Sequence, residues 1–525
     1  MTLSPSELQV LVARLTGVAD EMGAVLQRAA FSPNIKERAD CSAAVFDRRG
    51  RALAQAAHIP VHLGSMPASV AAVVDAFADG ADSLLAAGEH AVVNDPFRGG
   101  THLNDVTVVT PVRDGDELLG WVANRAHHAD VGGAAPGSMP ADATDVAQEG
   151  LRIPPIRLDA GVRALVLANS RTPEERSGDL DAQVGANVVG ALRAVPLLRQ
   201  PTDEVLDHGE RLARAALAAL GDGEWSAEDV LDSTGPGGPP ATIRCTVRIR
   251  GDAVEVDFTG TDPQSRGNVN AVEAVTVSSV AYVVRSLLGR DLPTNAGVLR
   301  PVTVVAPAGT VVAARFPAAV GAGNVEVSQR VVDVVTLALA GVPGLAVPAA
   351  SQGTMNNLLV GGRGDGTSVG AWVYYETVGG GQGGRPPRPG SAGASPQPGM
   401  GGVHTHMTNT RNTPVEALER AYPMRVLRYR LRRGSGGSGL APGGEGIERD
   451  LLVLEDVTVS LITERRVSQP WGLAGGGPGA VGENWLLPGG DESAAERLGD
   501  KCTRTLRAGD VLRVLTPGGG GWGAP

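Results

Sequence analysis

Residues 4 to 30 carry the clearest periodic pattern in the chain. Leu8, Leu11, Val12, Leu15, Val18, Met22, Val25 and Leu26 recur at the spacing of one helix face. Ser4 and Glu7 form an S-x-x-E capping box with Pro5 at the first helical position, so the pattern predicts one helix over 4–30. The stretch 32–55 reads as a loop, the strand CSAAVFD, a turn at RRG and a second strand. A helix is expected from about Pro67. EHAVVNDPFRGG and VTVVTPV read as strands around a glycine-rich bend, and LLGWVANRAHH as the next strand of the same sheet. Residues 133–160 read as a Gly/Pro-rich loop, and 183–196 and 203–221 as helices. TIRCTVRIRGDAVEVDFTGTD alternates apolar and polar residues about a GD turn, the mark of a β-hairpin. AVTVSSVAYVVRSLLG and EVSQRVVDVVTLALAG are apolar enough for buried helices, and from 415 strands dominate, in LRYRLRR, ERDLLVLEDVTVSLITER and DVLRVLTPGGGGWG.

Strands and helices interleave without regular βα alternation. The expected fold class is α+β: a mixed sheet carrying the site, flanking helices and a β-rich C-terminal region. The 525 residues have room for about three domains. We divide them into 1–180, an N-terminal helix plus the strands of the candidate metal site; 181–414, an α/β middle region; and 415–525, the β-rich region. Within the middle region, residues 379–402 are rich in Gly and Pro and are expected to form a mobile loop.

Composition narrows the function. The net charge is −11 and aromatic residues make up 3% of the chain. That leaves no basic stripe and few stacking platforms, so neither nucleic acid nor a membrane is an expected partner. The start, MTLSPSELQVLV, has no basic segment followed by an apolar run, and no window approaches the ~18 apolar residues a spanning helix needs. A soluble, cytoplasmic protein is expected. Cys41, Cys245 and Cys502 are too scattered for a disulfide framework and read as buried free thiols. Lys36 and Lys501 are the only lysines. In so arginine-rich a chain, Lys36 within NIKERADCS stands out as a candidate catalytic group.

The histidines carry the chemistry. Six of the nine fall between positions 58 and 128, and two more are His404 and His406. His102 and Asp105 in GGTHLNDV, and His127, His128 and Asp130 in AHHADVGG, form two H-x-x-D units beside neighbouring strands. On a regular strand His102 and Asp105 would face opposite sides; on a turn after Gly99 and Gly100 both can point inward. Adjacent strand histidines face opposite ways, so one of His127 and His128 is a ligand and the other lines the surroundings. Mixed imidazole and carboxylate ligation suits Zn²⁺, Mn²⁺ or Fe²⁺, and without ligand-like cysteines the site reads as catalytic. Asp40 precedes a strand and can reach a site at the sheet edge. His62 precedes a helix, and the GSMP that follows it could hold a carboxylate-bearing substrate at the helix N-terminus.

Several familiar signatures are missing. The sequence has no G-x-x-x-x-G-K-[ST] and no G-x-S-x-G, and GGGQGG and GAGN lack the strand–helix setting of a dinucleotide fingerprint.

Taken together, SPNIKERADCS, HIPVHLGSM, NDPFRGGTHLNDVTVVTPV, AHHADVGGAAPGSMP, GNVNA, LPTNAG, HTHMTNTRNTPVE and QPWGLAGG resemble the hydantoinase B / oxoprolinase family, in order, from near residue 20 to near 475. The resemblance implies a B-type subunit of an ATP-dependent amidohydrolase that opens a cyclic amide of the hydantoin or 5-oxoproline type. Its implied partner is an A-type subunit that binds ATP and phosphorylates the substrate, giving a hetero-oligomer. Related members implied by the same resemblance are the alpha-type subunits of ketone carboxylases; a noncatalytic structural subunit is the third reading. The family's metal ligands map to His102, Asp105 and His127, with Asp40 as a further ligand. A divalent ion there can activate water toward the phosphorylated carbon. Asp130 or His128 is then the expected nearby base.

Overall fold

The structure is a computed structural model that describes residues 3–56, 59–77, 85–289, 292–363, 370–387 and 395–525. Its helices are α1 (Pro5–Ala29), α2 (Pro33–Lys36), α3 (His62–Ala76), α4 (Ala160–Asn169), α5 (Pro173–Leu198), α6 (Asp203–Ala218), α7 (Glu273–Leu288), α8 (Ser328–Leu339) and α9 (Val415–Ala421). The fold is α+β with a strand-rich C-terminal region. Among the described residues, no helix is long and apolar enough to cross a membrane.

The first sheet holds β1 (Cys41–Asp47), β2 (Ala52–Ala56), β3 (Ala91–Val93), β4 (Asp105–Asp114), β5 (Glu117–His127) and β6 (Ile156–Arg157), in the order β2-β1-β5-β4-β3-β6. Its pairings are antiparallel, and in the β4–β5 register Asp105 lies opposite His127. Parallel pairing belongs to the second sheet, between β9 (Ala253–Asp257) and β10 (Val302–Val305), which continues through β8 (Ala241–Arg250) to β7 (Gly223–Leu231). The expectation of a mixed sheet is refined accordingly.

Both faces of the first sheet are covered, so alternate strand residues serve different cores. Ala43, Val45 and Val122 pack with Leu11, Leu15 and Met22 of α1 and Leu197 of α5. Ala44, Phe46, Trp121 and Ala123 pack with Met66, Val70 and Val73 of α3. This doubly covered arrangement explains why CSAAVFD is buried along its whole length.

Helix α1 starts at the capping box read from the sequence: Ser4 N donates to Glu7 Oε2 at 2.8 Å and Glu7 N to Ser4 Oγ at 3.4 Å. Two helix starts differ from the sequence reading. Helix α3 begins at His62, and Pro67 lies inside it, where the ring costs one backbone hydrogen bond near the start. Helix α5 begins at Pro173, with Glu174 and Glu175 in its first turn, ten residues ahead of the expected 183.

The third sheet has the order β12-β11-β15-β18, from β11 (Asn357–Gly362), β12 (Trp372–Thr377), β15 (Val457–Ile462) and β18 (Lys501–Leu506). The fourth joins β13 (Met424–Arg432), β14 (Gly446–Val453), β19 (Val511–Leu515), β16 (Glu483–Leu487) and β17 (Glu496–Leu498). Beside it, glycine-rich segments lie backbone against backbone. Gln382 N donates to Met400 O at 2.9 Å, Gly444 N to Gln382 O at 2.8 Å, Gly519 N to Gly444 O at 2.9 Å and Gly437 N to Gly519 O at 2.8 Å. A Cβ on Gly444 would fall 1.9 Å from Met400 O, so only glycine permits this approach. The segment 379–402 feeds this mat: residues 388–394 lie outside the described residues, while Arg385 and Gln397 on either side pair as a β-bridge.

Candidate metal centre

The chain turns sharply before the first H-x-x-D unit. Gly99 has φ +87°, and a Cβ there would lie 2.4 Å from the Ala68 carbonyl group. The turn brings His102 and Asp105 together, and β5 delivers His127 opposite Asp105. The Asp105 Oδ1 atom is 3.3 Å from His102 Nε2 and 3.6 Å from His127 Nδ1. On its other side, Oδ2 is 3.5 Å from His62 Nε2 and accepts from Thr101 Oγ1 at 2.5 Å. His102, Asp105, His127 and His62 are all buried.

These residues fit a divalent cation. One ligand atom from each of His102, Asp105 and His127 lies within 4.8 Å of the others. The 3.3 and 3.6 Å separations are long for N–H···O bonds. They are close to the ~3.0–3.4 Å edge between ligand atoms each ~2.1 Å from one ion. Both ring nitrogens of His102 and Nε2 of His127 are buried without a hydrogen-bond partner. Burial pulls His127 down to about 3 and lowers His62 as well, so these rings are neutral near pH 7. Burial alone would raise Asp105, yet the imidazoles facing it hold its carboxyl well below the usual range.

The second H-x-x-D unit does not converge as a unit. His127 faces α3, where its neighbour on the strand Arg125 donates to Ser65 Oγ and Ser69 Oγ. His128 faces α5 instead: its Nε2 lies 2.9 Å from Gln183 Oε1, and burial pulls it down to about 4. Asp130 accepts from Arg171 Nη1 at 2.8 Å, Arg171 N at 2.9 Å and Gly132 N at 3.2 Å. Neither residue, both expected as a nearby base, is brought to the cluster: one is turned away by strand alternation, the other is occupied by an arginine and backbone donors. Lys36, expected as a catalytic group, is exposed at the end of α2; Arg38, two residues on, is the one turned inward. Arg38 donates from Nη1 to Tyr375 O at 2.6 Å and from Nη2 to Thr377 Oγ1 at 3.0 Å. Asp40 is buried near Asp105 and His102, outside the three-residue cluster, and burial pushes its carboxyl up to about 7 against the pull of Arg38.

Three neighbours of the cluster are not legible in the sequence. It marks His62 only as preceding a helix; in the fold His62 is the first residue of α3, with Nδ1 2.9 Å from Ser42 Oγ. The GSMP stretch beside it is used internally, Gly64 N donating to Ser278 Oγ at 3.0 Å and Ser65 Oγ to Val61 O at 2.8 Å. Tyr375 stacks on His127, and Asn324 places Nδ2 3.5 Å from Asp105 Oδ2. The paired H-x-x-D units are the one local signal of the site. His58 lies outside the described residues.

A profile described as hydantoinase B/oxoprolinase matches residues 4–525. An uncharacterised protein, MJ0963, of Methanocaldococcus jannaschii is 38% identical over 99% of this chain and 90% of its own length. The 5-oxoprolinase 1 of Arabidopsis thaliana is 36% identical over 99% of this chain, which spans only 42% of that relative. The B-type subunit of a putative D-/L-hydantoinase of Pseudomonas sp. is 32% identical over 100% of this chain and 90% of its own length. Among solved structures, the ATP-dependent caprolactamase from Pseudomonas jessenii superposes with a TM-score of 0.89 at 26% identity, covering 100% of this chain and 92% of its own. A nucleotide-free acetone carboxylase shares the fold, with a TM-score of 0.86 at 18% identity over 99% of this chain and 76% of that one.

Proposed function

The chain belongs to the hydantoinase B/oxoprolinase family, and from that premise we propose that it is the B-type part of an ATP-dependent hydrolase that opens a cyclic amide of the hydantoin or 5-oxoproline type. The observation that carries this reading is the convergence of His102, Asp105 and His127 on one buried point. The division of labour is supported by two facts. The chain spans 42% of the plant 5-oxoprolinase but 90% of the Pseudomonas relative, whose name makes it one subunit of a hydantoinase. The sequence also lacks a P-loop and a dinucleotide fingerprint. An A-type partner therefore binds ATP and phosphorylates the amide oxygen, and this chain receives the activated substrate.

His102, Asp105 and His127 would hold Zn²⁺, Mn²⁺ or Fe²⁺. Such an ion, when bound, polarises a carbonyl oxygen and makes a water more acidic. The chain's own residues set the geometry. Thr101 and His62 fix the far oxygen of Asp105, and Ser42 fixes His62. Tyr375 holds the plane of His127. The buried walls keep bulk water from the activated intermediate.

The test is reconstitution with the A-type partner, following ATP consumption on hydantoin, 5-oxoproline, caprolactam and small ketones. Amide-dependent turnover that needs both proteins is the expected result. Turnover on ketones with bicarbonate alone would make the chain an alpha-type carboxylase subunit. Full turnover by the partner alone would reduce it to a structural subunit.

A further inference from the structure

Arg125 lies two residues before His127 on β5. In the β4–β5 register it stands opposite Thr107, as His127 stands opposite Asp105. Strand residues two apart share a face, so Arg125 sits on the α3 side of the sheet with the cluster. Its side chain is fully buried. A buried arginine ordinarily has a carboxylate beside it, because an uncompensated charge is costly to bury. Here the acceptors are three hydroxyls and a backbone carbonyl. Nε donates to Thr107 Oγ1 at 2.8 Å, Nη1 to Ser65 Oγ at 2.5 Å, and Nη2 to Ser69 Oγ at 2.7 Å and to Ser65 O at 3.4 Å. Among the described residues, the carboxylate whose attraction reaches it is that of Asp105.

Two of these acceptors pass the contact on. A serine hydroxyl has one proton, and in each serine it goes to a carbonyl, which leaves the lone pairs to Arg125. Ser65 Oγ donates at 2.8 Å to the carbonyl of Val61, the residue before His62. Ser69 Oγ donates at 2.8 Å to the carbonyl of Gly99, in the turn that leads to His102. One guanidinium therefore joins the four stretches of chain that carry the cluster: β4 with Asp105, β5 with His127, the start of α3 with His62, and the Gly99 turn with His102. Strand pairing holds Asp105 opposite His127 without it. How α3 and the Gly99 turn meet the sheet is set by the Arg125 fork, whose N–H directions are fixed by its planar geometry.

We propose that Arg125 is a positioning residue of the metal centre, arranging the ligands through Thr107, Ser65 and Ser69. This rests on the reading of His102, Asp105 and His127 as a metal site, and adds the residue that sets their geometry. The two properties of Arg125 act in opposite directions. Its charge repels a cation held by the cluster, whereas the geometry it imposes favours one. Arg125→Lys separates them, because lysine keeps the charge as a point and loses the fork.

The test is equilibrium binding of Co²⁺ to the full chain, stripped of metal and titrated in competition with a chelating dye. The visible absorption of bound Co²⁺ reports the ligand geometry. Arg125→Lys should weaken Co²⁺ binding about tenfold to a hundredfold and alter the absorption bands, with the circular dichroism as in wild type. Ser69→Ala, which cuts the branch to Gly99 alone, should weaken it at the lower end of that range, about tenfold. A clamp that served only the fold would lower the unfolding temperature and leave both affinity and bands as in wild type. That result in Arg125→Lys would overturn the inference. Where Arg125→Lys does not fold, Ser65→Ala and Ser69→Ala decide, and wild-type affinity and bands in both would overturn it. Either result leaves the metal reading standing, whereas a wild-type chain that binds no Co²⁺ would overturn both.

Discussion

The imidazole of His127 lies flat against the phenol ring of Tyr375, their centroids 4.4 Å apart and their planes 12° from parallel. The phenol is itself fixed, its hydroxyl donating to Asn357 Oδ1 and the Arg38 guanidinium lying over the ring, 4.9 Å from its centre. Strand pairing alone sets where His127 starts; this stack sets where its ring points. Tyr375→Leu should therefore lower divalent-metal affinity about tenfold, the scale seen when outer partners of a ligand are lost. Tyr375→Phe, which keeps the ring, should lose less. Competitive metal titration of the two variants checks the order.

His128 is the internal control. Strand alternation turns it toward Gln183 of α5 and away from Asp105. His128→Ala should leave metal content at the wild-type level. It should destabilise the fold by about 1–3 kcal/mol, because it strips the buried Gln183 oxygen of its partner. Elemental analysis and denaturant unfolding separate these two effects, and loss of the ion in this variant would show that His128, and not His127, is the ligand.

The glycine mat predicts an unusually steep penalty for one methyl group. A Cβ on Gly444 meets the Met400 carbonyl oxygen at 1.9 Å, and backbone on both sides cannot yield as a side chain would. Gly444→Ala should cost at least about 3 kcal/mol or prevent folding. Gly17, exposed on α1 with nothing within 4 Å of an added Cβ, should behave oppositely, Gly17→Ala gaining up to about 1 kcal/mol. Thermal unfolding of the two variants against wild type gives the comparison.

Glu149 predicts a pH dependence. It is buried, with Val320 N and Gly321 N donating to Oε1 at 3.0 and 2.7 Å. Burial pushes its carboxyl from the ordinary value of 4.5 up to about 8, against the pull of those donors. Between these values the native chain keeps a proton that the unfolded chain has released. Its contribution is whole below about 4.5 and is lost as the pH rises through about 8. Unfolding free energy should thus fall from pH 5 to pH 8 more steeply in wild type than in Glu149→Gln, and equal slopes would contradict the assignment.

Local patterns in the sequence carry some of this and not the rest. Helix α1 is legible because cap, periodicity and length agree within one segment. The β4–β5 pair is legible because β4 is rich in β-branched residues and β5 follows it after a short polar turn, and His102 and Asp105 stand out because they follow a glycine pair. His62 is visible only as a residue beside a helix start, since it meets Asp105 only after α3 docks on the sheet. Strand β7, GEWSAEDVL, has too few apolar residues to reveal its alternation, and β11 and β12 are masked by the glycine-rich stretches around them. The glycine stretches announce turns locally, but their packing against each other joins segments more than a hundred residues apart, such as Gln382 and Gly519 through Gly444.

On the proposed function, His102, Asp105 and His127 hold one catalytic divalent ion. The most direct measurement is elemental analysis, alongside amide-dependent turnover with the A-type partner, of wild type and His102→Ala purified without chelator. About one ion per chain in wild type is expected, with at least a tenfold loss of both ion and turnover in His102→Ala and an unchanged circular dichroism spectrum. Full metal content in His102→Ala, or full turnover by wild type after complete removal of the metal, would contradict the account.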